Sequence, residues 1–287
     1  MSVRRYLSSP IMIGPMAIVL ANVFFMGSFS LAKVNAAQTS IVVIMLFRFC
    51  AGPVWLAPYI AIKKPPMAME SWRLMAVRVA CGILAMSALF SAFKYGDISK
   101  STLIFELSII WTLVIDAWRA KQLPNAWTLG AIALAMLGMG LMVNPTHLIT
   151  FYSGDAYALL GSFFNAGVYL TLKQLRDVYS TVTVVFWAYA ASALVMVGPA
   201  LPHLPALDRP TIGLLLLMCS LGLVGQLLMS LGFKHASASV SAMFMLSIVP
   251  LTTASGMLFF NEVHTWPTIV GMVMVTSALF VIALCRR

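Results

Sequence analysis

The sequence predicts an all-α integral membrane protein of ten transmembrane helices, built as two inverted five-helix repeats. Three observations predict it. The chain is 61% hydrophobic and only 9% charged, with a mean hydropathy of +0.97, a composition suited to lipid rather than water. Its apolar residues fall into ten runs, each near the roughly 20 residues that cross a bilayer. The pattern of the first half also returns in the second.

That return is clearest between Phe93–Gly130 and Phe233–Gly271. Phe-Lys opens both copies, Leu-Ser-Ile stands in the middle at Leu107 and Leu246, and a glycine sits in the next apolar run, Gly130 and Gly271. The offset moves from 140 to 139 to 141 across these landmarks. Gly27–Lys33 (GSFSLAK) matches Gly167–Lys173 (GVYLTLK), again 140 apart. Span 1 therefore corresponds to span 6, and spans 4–5 to spans 9–10. Internal symmetry in so apolar a chain points to a carrier made of two related halves.

The spans are expected near 13–33, 40–61, 74–93, 97–117, 124–143, 155–173, 181–201, 211–232, 237–260 and 266–285, with the repeats at 1–144 and 145–287. Short breaks punctuate them, among them Lys63-Lys64-Pro65-Pro66, Asn144-Pro145 and Pro202 through Pro210. None leaves room for a soluble domain. Helices are required, because isolated strands leave backbone groups unsatisfied in lipid. Arg4 and Arg5 precede a segment long enough to span and stay, so no cleavable signal is expected.

With the N-terminus inside, twelve Lys and Arg residues fall on the cytoplasmic side and four outside, Lys33, Lys94, Lys100 and Arg209. This bias places both termini in the cytoplasm. Five spans per half is an odd number, so the halves run in opposite directions and a site is expected near the midplane between them.

The net charge of +10 comes from residues at span ends, which the membrane explains without nucleic acid. Cys50, Cys81, Cys219 and Cys285 read as small apolar fillers. The 20 methionines show no repeated pair spacing. His147, His203, His235 and His264 fall in or near loops. No metal, cofactor or phosphate-binding loop is therefore expected.

Polar groups at bilayer depth carry the functional signal, since an ionisable group there costs about 2.5 kcal/mol or more. Glu106 lies about nine residues from the outer end of span 4, or roughly 13 Å. Arg48 lies at nearly the same depth in span 2. Either they face a common cavity and bind a zwitterion, with Glu106 a candidate proton carrier, or they lock span 2 to span 4 as a structural pair. Arg78 is shallower and can snorkel, and reads as an anchor or a cytoplasmic gate contact, with anchoring favoured. Asn22 and Asn165 (mid-depth in spans 1 and 6), Tyr169 and Gln226 join the candidate solute-binding set, though each amide serves equally well as an interhelical hydrogen bond. Trp111 is read as an aromatic wall beside Glu106. Trp55, Trp72, Trp118, Trp127 and Trp266 read as interface belt residues.

Phe47-Arg48-Phe49, Arg78 with Gly82, Ala92-Phe93-Lys94-Tyr95, and Pro250 followed by small residues and Asn261-Glu262 complete a pattern. It resembles the EamA-type members of the drug/metabolite transporter superfamily along essentially the whole chain. The resemblance implies a ten-helix, two-repeat carrier working by alternating access. The first half departs from it, with Trp111 aligned to Pro250 and Lys121 aligned to Glu262.

The expected function is secondary transport of small polar organic metabolites, amino acids or related zwitterions, across a bacterial inner membrane, with export favoured on the resemblance. A multidrug exporter of the same fold is the alternative; it would have an aromatic cavity with a carboxylate and no role for Arg48. A non-transport membrane subunit or an intramembrane enzyme is the alternative of another class, and the sparse, dispersed His, Asp and Glu residues speak against it.

Overall fold

A computed structural model describes residues 10–121, 126–142, 153–262 and 266–284. Asn144-Pro145, the terminal arginines, His147, His264 and Cys285 lie outside them. The first half holds α1 (Pro10–Gln38), α2 (Ile41–Lys63), α3 (Trp72–Tyr95), α4 (Ile98–Phe105), α5 (Ser108–Ala120) and α6 (Ala126–Met142). The second holds α7 (Ser153–Val178), α8 (Thr181–Ala200), a 3₁₀ turn (Leu201–Ala206), α9 (Arg209–Lys234), α10 (Ala238–Met245), α11 (Ile248–Phe259) and α12 (Trp266–Leu284).

Among the described residues, seven segments are long and apolar enough to cross a membrane: Ile13–Gln38, Ile41–Lys63, Trp72–Tyr95, Ile98–Arg119, Thr181–Leu204, Arg209–Lys234 and Val240–Phe259. Leu129–Leu141 and Ile269–Ala278 are shorter apolar stretches. Expected span 6, α7, is not among the seven. It carries Asp155, Lys173, Arg176 and Asp177 and is among the more polar of the long helices.

The packing follows the repeat. The closest pairs are α1 with α9, α3 with α7, α6 with α12 and α2 with α8, and α4 meets α11 as α10 meets α5. Exchanging span 1 for 6, 2 for 7, 3 for 8, 4 for 9 and 5 for 10 converts this set into itself. Close approach needs small residues, as is usual between membrane helices. A Cβ at Gly232 would strike Ile18 and the Gly14 carbonyl, and one at Gly138 would lie 2.8 Å from the Gly271 carbonyl.

Two expected spans are broken. Between α4 and α5 the amides of Leu107, Ile109 and Ile110 bond three residues back, at 3.2, 3.1 and 2.9 Å. Between α10 and α11 those of Leu246, Ser247 and Val249 do the same, at 3.1, 3.3 and 3.0 Å. The repeated Leu-Ser-Ile marks both breaks. Pro250, lacking an N–H, helps to explain the second; the first forms without proline.

Candidate functional site

A cavity of about 50 Å³ lies between the halves, where the breaks meet α1, α2, α3, α7, α8 and α9. Among the described residues, none from α6 or α12 lines the cavity.

Glu106, the last residue before Leu107 in the first break, faces this cavity and is buried. Its Oε2 accepts a hydrogen bond from the Tyr169 hydroxyl of α7 at 3.3 Å. One turn earlier on α7, the Asn165 amide donates to Ser108 Oγ at 3.1 Å, so α7 both holds the break and lines the cavity. Met245, the repeat counterpart of Glu106 by the Leu-Ser-Ile register, also lines it.

Arg48 enters from α2. Its guanidinium donates to Ser28 Oγ at 3.3 Å and lies 5.9 and 5.7 Å from the Phe25 and Phe90 ring centroids. Ser28 in turn donates to the Met218 carbonyl of α9 at 2.9 Å. A Cβ at Gly222 would collide with Arg48 Nη1 and lie 2.9 Å from Ser28 Oγ, so the guanidinium packs directly against α9. Arg48 and Glu106 share the cavity but form no ion pair. Among the described residues the ion pairs are Lys33–Glu262, Lys100–Asp155 and Lys173–Asp177.

Three expectations need correction. Trp111 is not part of the cavity: it is 39% exposed, donates through Nε1 to Ser162 Oγ at 3.2 Å and meets Phe163 edge-on. The break between α4 and α5 falls between Glu106 and Trp111, so the two do not share one continuous helical face. Asn22 is buried away from the cavity. Its amide donates to the Phe244 and Met245 carbonyls and to Ser247 Oγ at 3.2, 3.0 and 2.7 Å, which satisfies backbone freed by the second break. Arg78 does not snorkel: it is 6% exposed and lines the cavity, because its side of α3 faces inward although its depth is shallow.

Gln226 lines the cavity from α9, as do Tyr189 and Ser192 from α8. Tyr189 and Ser192 were missed by the sequence reading. The Tyr189 ring packs against Gly52 of α2, where a Cβ would run into it, a contact that no local sequence pattern announces.

Away from the cavity, a second polar cluster joins the halves. Glu262 takes Lys33 Nζ on Oε1 at 2.9 Å. The Ile98 amide also donates to Oε1, at 2.8 Å, and the Ser99 amide and hydroxyl donate to Oε2. These amides open α4, and Asp97 does not cap them with its own side chain, so a carboxylate from the other half serves as the cap. Burial pushes Glu262 up, but the Ser99 hydroxyl, the Lys33 ammonium and the Ile98 amide outweigh it. They hold the carboxyl below the usual glutamate value. The left-handed residue after each broken helix is Lys121 in one half and Asn261 in the other. The backbone thus pairs Lys121 with Asn261 rather than with Glu262.

The model of the EamA-like transporter family matches residues 12–144 and again 152–284. A pseudopaline exporter, CntI, of Pseudomonas aeruginosa is 25% identical over 285 residues, covering 96% of this chain and 97% of the exporter. An uncharacterized transporter of Helicobacter pylori is 23% identical over 244 residues, 81% of each chain. A solved crystal structure covers 98% of this chain and 99% of its own with a TM-score of 0.73 at 14% identity, which shows a shared fold. With the family model matched twice, once in each half, the chain belongs to the EamA-like transporter family.

Proposed function

We infer that the protein is a secondary carrier that exports small polar organic metabolites, amino acids or related zwitterions, across a bacterial inner membrane. The observation that carries this reading is the cavity between the repeats. It holds the carboxyl group of Glu106 together with the guanidinium groups of Arg48 and Arg78. Charges at that depth are retained where they meet a solute or an ion. The likeness to a protein named as an exporter supports the direction. Both termini face the cytoplasm on the charge bias, the ten spans form two inverted repeats, and Glu106 is the proton carrier if transport is proton-coupled. Two cationic side chains against one acid speak against a carrier for cationic drugs.

The test is uptake and exchange of labelled amino acids by proteoliposomes containing the purified chain. Glu106→Gln is expected to cut flux far more than folded yield and to flatten its pH dependence. Amino-acid flux no greater than in empty liposomes would reject the reading.

A further inference from the structure

We propose that Arg78, Gln226 and Tyr189 form a subsite for a carboxylate group of the solute, an inference that rests on the central cavity being the transport site. The three side chains come from α3, α9 and α8 and line the same cavity. They are 6%, 7% and 4% exposed. Arg78 Nε, Gln226 Nε2 and Tyr189 Oη have no hydrogen-bond partner among the described residues. A buried donor left unpaired costs roughly 1–3 kcal/mol, more when it is charged. Three such donors around one cavity are therefore matched to an acceptor that arrives from outside.

Arg48 differs. Its guanidinium is held by Ser28, flanked by Phe25 and Phe90, and seated against Gly222, so it builds the wall. Arg78 makes no ion pair among the described residues, which leaves its planar fork of donors for a ligand. That fork suits a carboxylate, which can accept two parallel hydrogen bonds. The Gln226 amide and Tyr189 hydroxyl add neutral donors. Glu106 supplies an acceptor in the same cavity, so a zwitterion finds partners for both ends.

The test uses the purified full chain in detergent and measures its melting against the common amino acids and their carboxamides. A ligand selective for the folded state raises the melting temperature with concentration, which yields an apparent Kd. The carboxamide keeps the ammonium and side chain but loses the charged acceptor. At least one amino acid is expected to stabilise the wild type, with its carboxamide binding about 10- to 100-fold more weakly. Arg78→Gln should reduce that preference to within about threefold, and Arg78→Lys should leave an intermediate value. If Arg78→Gln fails to fold, Gln226→Leu and Tyr189→Phe decide, each being expected to narrow the preference.

Equal binding of acid and carboxamide by the wild type would overturn the subsite. So would a preference unchanged in Arg78→Gln, or in both substitute variants, or no stabilisation by any carboxylate. The carrier reading is judged separately by proteoliposome flux, where transport of a carboxamide would leave it standing without the subsite.

Discussion

The two broken helices share a backbone and differ in chemistry. At both breaks, amides bond three residues back, and an asparagine of the opposite half binds the serine of Leu-Ser-Ile. Asn165 holds Ser108 and Asn22 holds Ser247. The cavity residue beside the first break is Glu106, whereas beside the second it is Met245. The ends differ as well. Lys33 and the start of α4 are tied across the halves by Glu262. Lys173, the repeat partner of Lys33, pairs at 2.6 Å with Asp177 of its own helix, and α10 is capped by its own Ser237. Duplication accounts for the frame, and the departures from it mark where the halves divide the work.

The largest expected effect tests that division. Glu106→Leu should reduce flux roughly tenfold or more, since it removes the carboxyl group that lines the cavity, while Met245→Leu, nearly volume-conserving, should keep most of it. Equal losses would break the comparison. Next come the clamps, read by melting in detergent. Asn22→Ala loses bonds to three acceptors and should cost about 1–2 kcal/mol, whereas Asn165→Ala loses one and should cost about half of that.

The Glu262 tie is expected to be worth about 1 kcal/mol through its hydrogen bonds. Its pH dependence has a definite sign. A carboxyl whose folded pKa is depressed contributes fully above its unfolded value, about 4.3. The contribution is lost as pH falls through the lower folded value. Wild type should therefore lose stability relative to Glu262→Gln below about pH 4, and parallel melting curves would remove the tie from the account. The smallest effect belongs to Trp111→Phe, on the outer surface of the bundle. It should change flux little and stability by no more than about 0.5 kcal/mol.

Depth was legible in the sequence and direction was not. Counting residues from span ends located Glu106, Arg48, Tyr169 and Gln226, all of which line the cavity. The same count mistook Arg78 for an anchor, because depth says nothing about which side of α3 faces inward. It left Asn22 open between a solute contact and an interhelical bond, since an amide that caps a broken helix looks no different in sequence from one that binds a ligand. The repeat was legible from Leu-Ser-Ile, but the breaks at that motif were not, because a short turn leaves the apolar run uninterrupted. The Glu262 tie joins residues 164 positions apart, and no local pattern announces such a contact.

The central claim is that the cavity between the repeats is where the solute passes. Ser192, buried on its wall, allows a direct measurement. Ser192→Cys would be placed in a chain whose own four cysteines are replaced by alanine, and reconstituted in liposomes. It would then be reacted with a small membrane-impermeant thiol reagent. Leu258→Cys, at a position 75% exposed on the outer surface, serves as the control. The account predicts that Ser192→Cys is labelled as the carrier opens and that a transported amino acid slows this labelling, with no such protection at the control. A Ser192→Cys that never reacts, or reacts at a rate no transported solute changes, would contradict it.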